Sequence, residues 1–303
     1  MRALVFDPVG THRLRLGDAP DPVPRDSEVL VEVHTVGLNF GELAFDPERE
    51  PGAVLGWDAA GVITRSAADG SGPAAGTRVV TFGWKGAWAE LRAVDTANVA
   101  VVPDSVDLGA ACALPVAGVT ALQALRRLGN VIGRRVLVTG ASGGVGRFAV
   151  QLAARSGGYV IASVGRPARR AGLSELGAAE VIVGLHGVSG RLFGVLDTVG
   201  GPQLANALGM LDEGGIVQWI GRASRAPLEL EVQQVEQHRS WRLERFQVRT
   251  PFGTDLDYLV ELLEHAELDP QIGWRGPWDR ASEAAHALLA REVRGKAVLD
   301  IRS

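Results

Sequence analysis

Cysteine and long hydrophobic runs are almost absent from this sequence. Cys112 is the single cysteine among 303 residues, which excludes both a disulfide framework and a four-cysteine zinc site, because each needs several thiols at fixed spacing. A reducing compartment, the cytoplasm, is therefore expected. The first residues lack the charged start and apolar stretch of a secretory signal, and no run reaches about 18 unbroken apolar residues, so neither export nor a membrane partner is expected.

An excess of basic charge is also missing. The chain has 31 Lys and Arg residues against 35 Asp and Glu residues, so its formal net charge is −4, and no nucleic-acid partner is expected. The composition is 46% hydrophobic and 22% charged, which is typical of a globular protein and excludes intrinsic disorder. A length of 303 residues predicts about two domains.

The pattern of the chain changes near residue 107. Before it, short β-branched runs are cut by Gly, Pro and Asp, which indicates a β-rich unit. From 135 to about 221, strand-like runs alternate with helical patterns, which predicts a parallel sheet covered on both faces. Helices are expected at 144–155, 167–176 and 203–211, and no regular helix in the short connection 183–195. After residue 239 we expect an extended run, a helix, a loop rich in Pro and Gly, a second helix and a closing strand.

The strongest chemical signal is a strand, a glycine turn and a helix in the run VLVTGASGGVG at 136–146. Glycines let the backbone approach a pyrophosphate closely, and the free N–H groups and dipole of the following helix bind its charge. The alternative is a glycine turn that only allows tight packing. The candidate cofactor-binding residues of this turn are Gly140, Ser142, Gly143, Gly144 and Val145.

The segment after the next strand contains arginine where NAD-binding proteins usually place an acidic residue. No Asp or Glu occurs between Gly146 and Glu175, and Ser163 is followed by Arg166 and Arg169. Guanidinium groups pair well with a dianionic 2′-phosphate, so NADPH is predicted in preference to NADH, with all three residues as candidate contacts. The alternative is that these arginines form a solvated surface.

Several motifs, in order along the chain, carry a resemblance to a known family. They are EVLVEVHTVGLNF (28–40), LGWDAAGVI (55–63), GAWAELRAV (86–94), VLVTGASGGVGRFAVQLA (136–153), LDTVGG (196–201) and GKAVL (295–299). The chain resembles the medium-chain dehydrogenase/reductase superfamily, and within it the zinc-independent quinone oxidoreductase and enoyl reductase branch. The resemblance implies an α/β protein in which a Rossmann doubly wound parallel sheet (118–246, NADPH-binding) joins a discontinuous β-rich GroES-like catalytic domain (1–117 and 247–303).

The resemblance also assigns roles to residues outside the glycine turn. Asn39 corresponds to an asparagine beside the nicotinamide, and Thr120 to a hydroxyl near the nicotinamide ring and ribose. Together with Asp58, these two are the candidate catalytic residues. Asn39 has an alternative role, because a buried amide often only satisfies backbone groups. Further candidate cofactor contacts are Thr198, Val199, Gly221 and Arg222.

Two departures from the relatives bear on the chemistry. Zinc-dependent relatives carry a Cys where this chain has Asn39 or its neighbours and a His where it has Trp57 and Asp58, so no metal is expected. Many quinone reductases have a Tyr five residues after that asparagine, where this chain has Ala44. No tyrosine is therefore placed as a general acid, and the alternative proton sources are water, Asp58 and Lys85.

The function implied is an NADPH-dependent, metal-free oxidoreductase that transfers hydride to a conjugated carbonyl. A quinone, an enone or an enoyl thioester forms its own stabilised anion on reduction and needs no Lewis acid. One alternative is a non-catalytic NADPH-binding sensor or structural protein with the same fold, and a further one is a zinc alcohol dehydrogenase. The family implies a small-molecule substrate and a homodimer formed near 214–245.

Overall fold

The computed structural model describes residues 1–45, 49–231 and 240–302, and the chain divides into two units. The first unit comprises Met1–Val119 and Thr250–Ser303, and the second comprises Thr120–Arg249. None of the helices in the described residues combines the length and the apolar character that a membrane span requires.

The first unit is built on a seven-stranded sheet whose central strand is β3 (Glu28–Leu38). Valines at alternate positions of the run EVLVEV are fully buried, as expected for a strand with one face in a core. The other strands of the unit are β1 (Arg2–Phe6), β2 (Leu14–Asp18), β4 (Asp58–Arg65), β5 (Arg78–Phe82), β6 (Leu91–Asp95), β7 (Val99–Val101), β14 (Ile272–Pro277) and β15 (Lys296–Asp300). The order is β14-β15-β3-β4-β5-β7, with β6 also paired to β3 and a separate β1-β2 pair, and only β14 and β15 run parallel.

Four helices among the described residues belong wholly to the first unit. They are α1 (Phe40–Ala44), α2 (Leu108–Cys112), α6 (Gly253–Glu264) and α7 (Ala281–Leu289). One face of the sheet and α7 bury a continuous apolar cluster that includes Val31, Trp88, Ala285 and Leu299. The return of the chain after residue 250 therefore completes the core that the N-terminal strands begin.

The second unit contains a six-stranded parallel sheet. Its strands are β8 (Arg135–Thr139), β9 (Tyr159–Val164), β10 (Glu180–Val183), β11 (Leu192–Asp197), β12 (Leu211–Trp219) and β13 (Arg242–Arg245), in the order β10-β9-β8-β11-β12-β13. Its helices are α3 (Pro115–Leu128), which begins in the first unit, α4 (Gly144–Arg155) and α5 (Gly201–Leu208). This strand order is that of the Rossmann doubly wound fold, so the predicted α/β fold class is confirmed.

Two local predictions are wrong. The helix expected at 167–176 is a single 3₁₀ turn, Pro167–Arg169, because Gly172 and Gly177 take φ angles of +80° and +99°, which a right-handed helix does not allow. The loop expected after residue 266 contains β14, which pairs with β15. In the predicted dimer segment 214–245, residues 232–239 lie outside the described residues.

Candidate active site

The predicted glycine turn joins β8 to α4 in the second unit. Gly140 has a φ of +61°, and a Cβ there would lie 2.2 Å from Oγ1 of Thr198. A Cβ at Gly146 would lie 2.4 Å from the carbonyl oxygen of Gly140, so the turn closes tightly onto the helix. Gly143, Gly144 and Val145 are half-buried, and the first turn of a helix has N–H groups without intrahelical partners. This geometry is suited to binding an anion.

The carboxyl ends of β11 and β12 lie beside this turn. The backbone N–H of Thr198 donates to the hydroxyl of Thr139 (3.1 Å), and the hydroxyl of Thr198 donates to the carbonyl of Thr139 (2.9 Å). The N–H of Gly221 donates to the carbonyl of Asp197 (3.0 Å). The structure therefore brings Thr198, Val199, Gly221 and Arg222 to the position where the strand order reverses, which is where open α/β sheets bind ligands.

Asp197 is a residue of this region that sequence reasoning missed. It is fully buried at the end of β11, accepts a hydrogen bond from the hydroxyl of Thr139 (2.6 Å) and another from the N–H of Gly200 (2.8 Å). Burial raises the pKa of this carboxyl. The sequence signal that could have identified it is an acidic residue at the end of an apolar strand. Through its hydrogen bond to Thr139, Asp197 holds β8 and β11 together under the glycine turn.

The predicted 2′-phosphate residues divide into two groups. Ser163 is fully buried, and its hydroxyl donates to the carbonyl of Gly184 (2.7 Å) and accepts from the amide of Gln203 (2.9 Å), so its contacts are with the protein. Arg169 is half-buried, and its Nε donates to the hydroxyl of Ser142 in the glycine turn (2.7 Å). Arg166 is exposed on the same segment.

Arg147, in the first turns of α4, fixes the segment 166–172, which contains Arg166 and Arg169. Sequence reasoning did not identify this residue. Its side chain is 5% exposed, and Nη2 donates to the carbonyl of Ala171 (2.7 Å). Nη1 lies 3.2 Å from the position that a Cβ on Gly172 would take, so the backbone of the segment wraps over the guanidinium. The segment 166–172 is thus tied to the glycine turn by Arg169 and to α4 by Arg147.

A second constellation lies in the first unit, where β3 ends and β4 and β15 begin. Antiparallel pairing places Gly37 opposite Asp58 and Leu38 opposite Ala297, so Asn39, Asp58 and Lys296 meet at one edge of the sheet. All three side chains are buried, being 8%, 0% and 3% exposed. Lys296 was not identified from the sequence, because only the pairing of β15 with β3 brings it here.

The side chain of Asn39 is fixed by charged groups on both sides. Its Oδ1 accepts from Nζ of Lys296 (2.6 Å), and its Nδ2 donates to Oδ2 of Asp58 (2.8 Å) and to Oε2 of Glu42 (3.0 Å). Nζ of Lys296 also donates to Oδ2 of Asp58 (3.0 Å), whose Oδ1 accepts from the N–H of Val116 (3.2 Å). Asp58 accepts in each of these contacts, as an ionised carboxylate does.

Glu42 completes the constellation and is a further residue that sequence reasoning missed. It lies on α1, is 4% exposed, and its Oε2 accepts from both the backbone N–H (2.9 Å) and the side-chain amide of Asn39. Burial, followed by the negative charge of Asp58, raises the pKa of Glu42 to about 8. The signal available in the sequence was a capping-box pattern at a helix N-terminus, in which Glu42 follows Asn39 by three residues.

Arg92 and Cys112 border this constellation. Arg92 is 2% exposed and donates to the hydroxyl of Thr81 (2.8 Å) and to the carbonyls of Trp57 (3.0 Å) and Gly83 (3.1 Å), and burial lowers its pKa to about 10. Burial raises the pKa of the Cys112 thiol, which donates to the carbonyl of Thr35 (3.5 Å). The cysteine is therefore a neutral thiol and not a thiolate ligand.

The predicted catalytic residues fall in both units. Asn39 and Asp58 are in direct contact in the first unit, and Thr120 lies on α3 in the second unit, 7% exposed. In residues 1–45, 49–231 and 240–302, no group of three or more His, Cys, Asp or Glu side chains lies close enough together to bind a metal ion. These residues do not fit a catalytic zinc site, which uses three such ligands.

Comparison with protein families matches both parts of the chain. Residues 25–104 match the alcohol dehydrogenase GroES-like domain, and residues 176–299 match a family described as zinc-binding dehydrogenase. The putative quinone oxidoreductase YhfP of Bacillus subtilis is 33% identical over 222 residues, which are 66% of this chain and 67% of that protein. The chain belongs to the medium-chain dehydrogenase/reductase superfamily, in its quinone oxidoreductase branch. The predicted GroES-like and Rossmann combination is thereby confirmed.

Other relatives extend this result. Part of the erythronolide synthase EryA2 of Saccharopolyspora erythraea is 38% identical over 187 residues, which are 56% of this chain but only 5% of that synthase. This chain thus spans a small part of that curated relative. The mycobacterial protein Rv1454c, solved in complex with NADPH, is 26% identical with a TM-score of 0.86, and the match covers 99% of this chain and 100% of that one.

Proposed function

We propose that the protein is an NADPH-dependent, metal-free oxidoreductase that transfers hydride to a conjugated carbonyl acceptor, namely a quinone, an enone or an enoyl thioester. The observation that carries the proposal is the glycine turn at the point where the strand order reverses, with Arg169 bonded to Ser142 in that turn. A relative described as a putative quinone oxidoreductase and a structural neighbour described as an NADPH complex support it.

The residues present fit this cofactor. A Cβ at Gly140 or Gly146 would clash with the turn, so only glycine leaves the backbone free to approach a pyrophosphate. Gly143, Gly144 and Val145, with Ser142, would bind the pyrophosphate, and Arg166 and Arg169 the 2′-phosphate. Thr198, Val199, Gly221 and Arg222 would line the same sheet edge, and Asn39, Asp58 and Thr120 remain the predicted catalytic residues.

The groups that the protein offers for stabilising negative charge restrict the kind of acceptor it can reduce. NADPH, when bound, supplies a hydride. The described residues offer no zinc site, so they do not support the polarisation of a simple ketone by a metal. They favour an acceptor that forms a delocalised anion when hydride is added. The contribution of the first unit is a rigid polar site, in which Lys296 and Asp58 fix the orientation of the Asn39 amide.

The test is NADPH oxidation by the purified protein, followed by absorbance, with 1,4-benzoquinone, 9,10-phenanthrenequinone, a simple enone and crotonyl-CoA as acceptors. Each assay is repeated with NADH and with a chelator. We expect turnover with at least one acceptor, faster with NADPH than with NADH and unaffected by the chelator. Binding of NADPH without turnover on any acceptor would instead support the non-catalytic sensor, and loss of activity with chelator would support a zinc dehydrogenase.

A further inference from the structure

Glu42 borders a cavity of about 290 Å³ within the first unit. The cavity is lined by the polar residues His12, Arg13 and Arg49 and by apolar residues that include Phe6 and Leu55. A water molecule occupies about 30 Å³ of liquid, so the cavity has room for several. Glu42 is the one member of the buried constellation with Asn39, Asp58 and Lys296 that lines this cavity.

The two carboxyl oxygens of Glu42 have different surroundings. Oε2 accepts two hydrogen bonds from Asn39, whereas Oε1 is buried and has no hydrogen-bond partner among the described residues. A proton on this carboxyl therefore resides on Oε1. A buried polar atom without a partner is costly, so a partner is expected from beyond the described residues, such as water or a reacting molecule.

Burial, more than the neighbouring charges, favours the neutral form of Glu42. Asp58 on β4 and Lys296 on β15 form an ion pair at 3.0 Å, so their charges offset one another. Burial and, after it, the negative charge of Asp58 raise the pKa of Glu42, and Lys296 offsets part of this effect. Arg92 is bonded to backbone carbonyls and the Thr81 hydroxyl, and Arg49 donates to the backbone carbonyl of Glu42 (3.2 Å).

We propose that Glu42 holds the proton that the reductase delivers to its reduced acceptor, and that the adjoining cavity is the route by which water restores this proton. The proposal rests on the reductase function proposed above. Addition of hydride to an enone forms a C–H bond at the β-carbon and leaves an enolate. The O–H bond of Glu42 then breaks, a C–H bond forms at the α-carbon, and a proton from bulk solvent, relayed by water in the cavity, returns to the carboxylate. For a quinone, the proton goes to the hydroquinone oxygen.

The variant that tests this is Glu42→Gln, which keeps the side-chain shape and an oxygen that accepts from Asn39 but holds no transferable proton. We expect kcat to fall about 100-fold or more, the usual range for loss of general acid catalysis, with little change in KM for NADPH. We also expect the wild-type kcat to decline above about pH 8, as Glu42 loses its proton, and this decline to vanish in the variant.

The matched control is Glu32→Gln on β3. Glu32 is half-buried and pairs with His34 (3.4 Å) and Arg302 (2.9 Å) at the surface of the same unit, so kcat and the pH profile should stay at wild-type values. A wild-type kcat and pH profile in Glu42→Gln would overturn the proposal.

Infrared difference spectroscopy separates this inference from the proposed function, because it needs no acceptor. Wild-type protein should show a protonated carboxyl band at pH 7 that disappears as the pH is raised through about 8 and that is missing from Glu42→Gln, whereas a band from buried Asp197 would be present in both proteins. Absence of that band overturns the Glu42 assignment, whatever the activity. If the band is present but no acceptor oxidises NADPH, the reductase function fails and proton delivery fails with it.

Discussion

Replacing Lys296 by Met removes the only side-chain cation that the structure shows in direct contact with Asp58. Nζ of Lys296 bonds to Oδ2 of Asp58 (3.0 Å) and Oδ1 of Asn39 (2.6 Å), and the two charged side chains are 3% and 0% exposed. Removing one partner of such a buried pair costs about 3–5 kcal/mol, because the remaining charge stays desolvated. Methionine has a similar length and apolar stem, so little of this loss arises from a cavity.

The loss should depend on pH in a defined direction. Lys296 lowers the pKa of Glu42, which is about 8 in the native state, so in the variant this pKa rises further and the variant loses stability relative to wild type as the pH rises through about 8. Urea unfolding at pH 6.0 and pH 9.0, followed by circular dichroism and tryptophan fluorescence, measures both free energies of unfolding. The control is Arg302→Met, which removes an exposed pair with Glu32 and should cost no more than about 1 kcal/mol.

The reasoning about the buried constellation is refuted if Lys296→Met costs less than about 1 kcal/mol at pH 9.0, or if its effect is the same at both pH values. A small cost would mean that Asp58 is compensated by solvent and not by Lys296, and a cost independent of pH would mean that Lys296 does not influence the ionisation of Glu42.

Three further predictions concern the second unit. The double variant Arg166→Glu/Arg169→Glu should weaken NADPH binding by about 10- to 100-fold and NADH binding much less, because charge-assisted hydrogen bonds contribute about 1.5–3 kcal/mol. Calorimetric titration measures both affinities. Equal weakening of NADPH and NADH binding would contradict the assignment of these arginines to the 2′-phosphate. Gly146→Ala should abolish NADPH binding or folding, because its Cβ would lie 2.4 Å from the Gly140 carbonyl oxygen. The binding control is Gly209→Ala, where the backbone has a φ of −65° and a Cβ would make an ordinary contact of 3.5 Å. Arg147→Met should cost about 1–3 kcal/mol in urea unfolding by leaving the Ala171 carbonyl without its donor, and an unchanged value would contradict that contact.

Local patterns made the glycine turn predictable. A buried strand, closely spaced glycines and an amphipathic helix follow one another at 135–155, so sequence neighbours alone determine how the backbone folds there. The alternation of strands and helices in the second unit was predicted for the same reason. The absence of an acidic residue after β9 likewise pointed to Arg169, which the structure places against Ser142.

The residues that could not be predicted from the sequence come together through strand pairing between distant parts of the chain. Lys296 reaches Asn39 from 257 positions away, because β15 returns to pair with β3. Glu42 is close to Asn39 in sequence, but its raised pKa depends on Asp58, which β4 brings beside it. The segment 167–176 has a composition that permits a helix, and it is instead shaped by the buried Arg147 and by Gly172 with its positive φ.

The origin of the hydrogen atoms in the product tests the central claim most directly. The enone that gives the fastest turnover is reduced with NADPH deuterated at either face of C4, in the presence of chelator, and the product is analysed by mass spectrometry and NMR. The account predicts one deuterium at the β-carbon from one of the two labelled cofactors, and a hydrogen from solvent at the α-carbon. Unlabelled product from both cofactors, while NADPH is consumed, would contradict hydride transfer to a conjugated carbonyl.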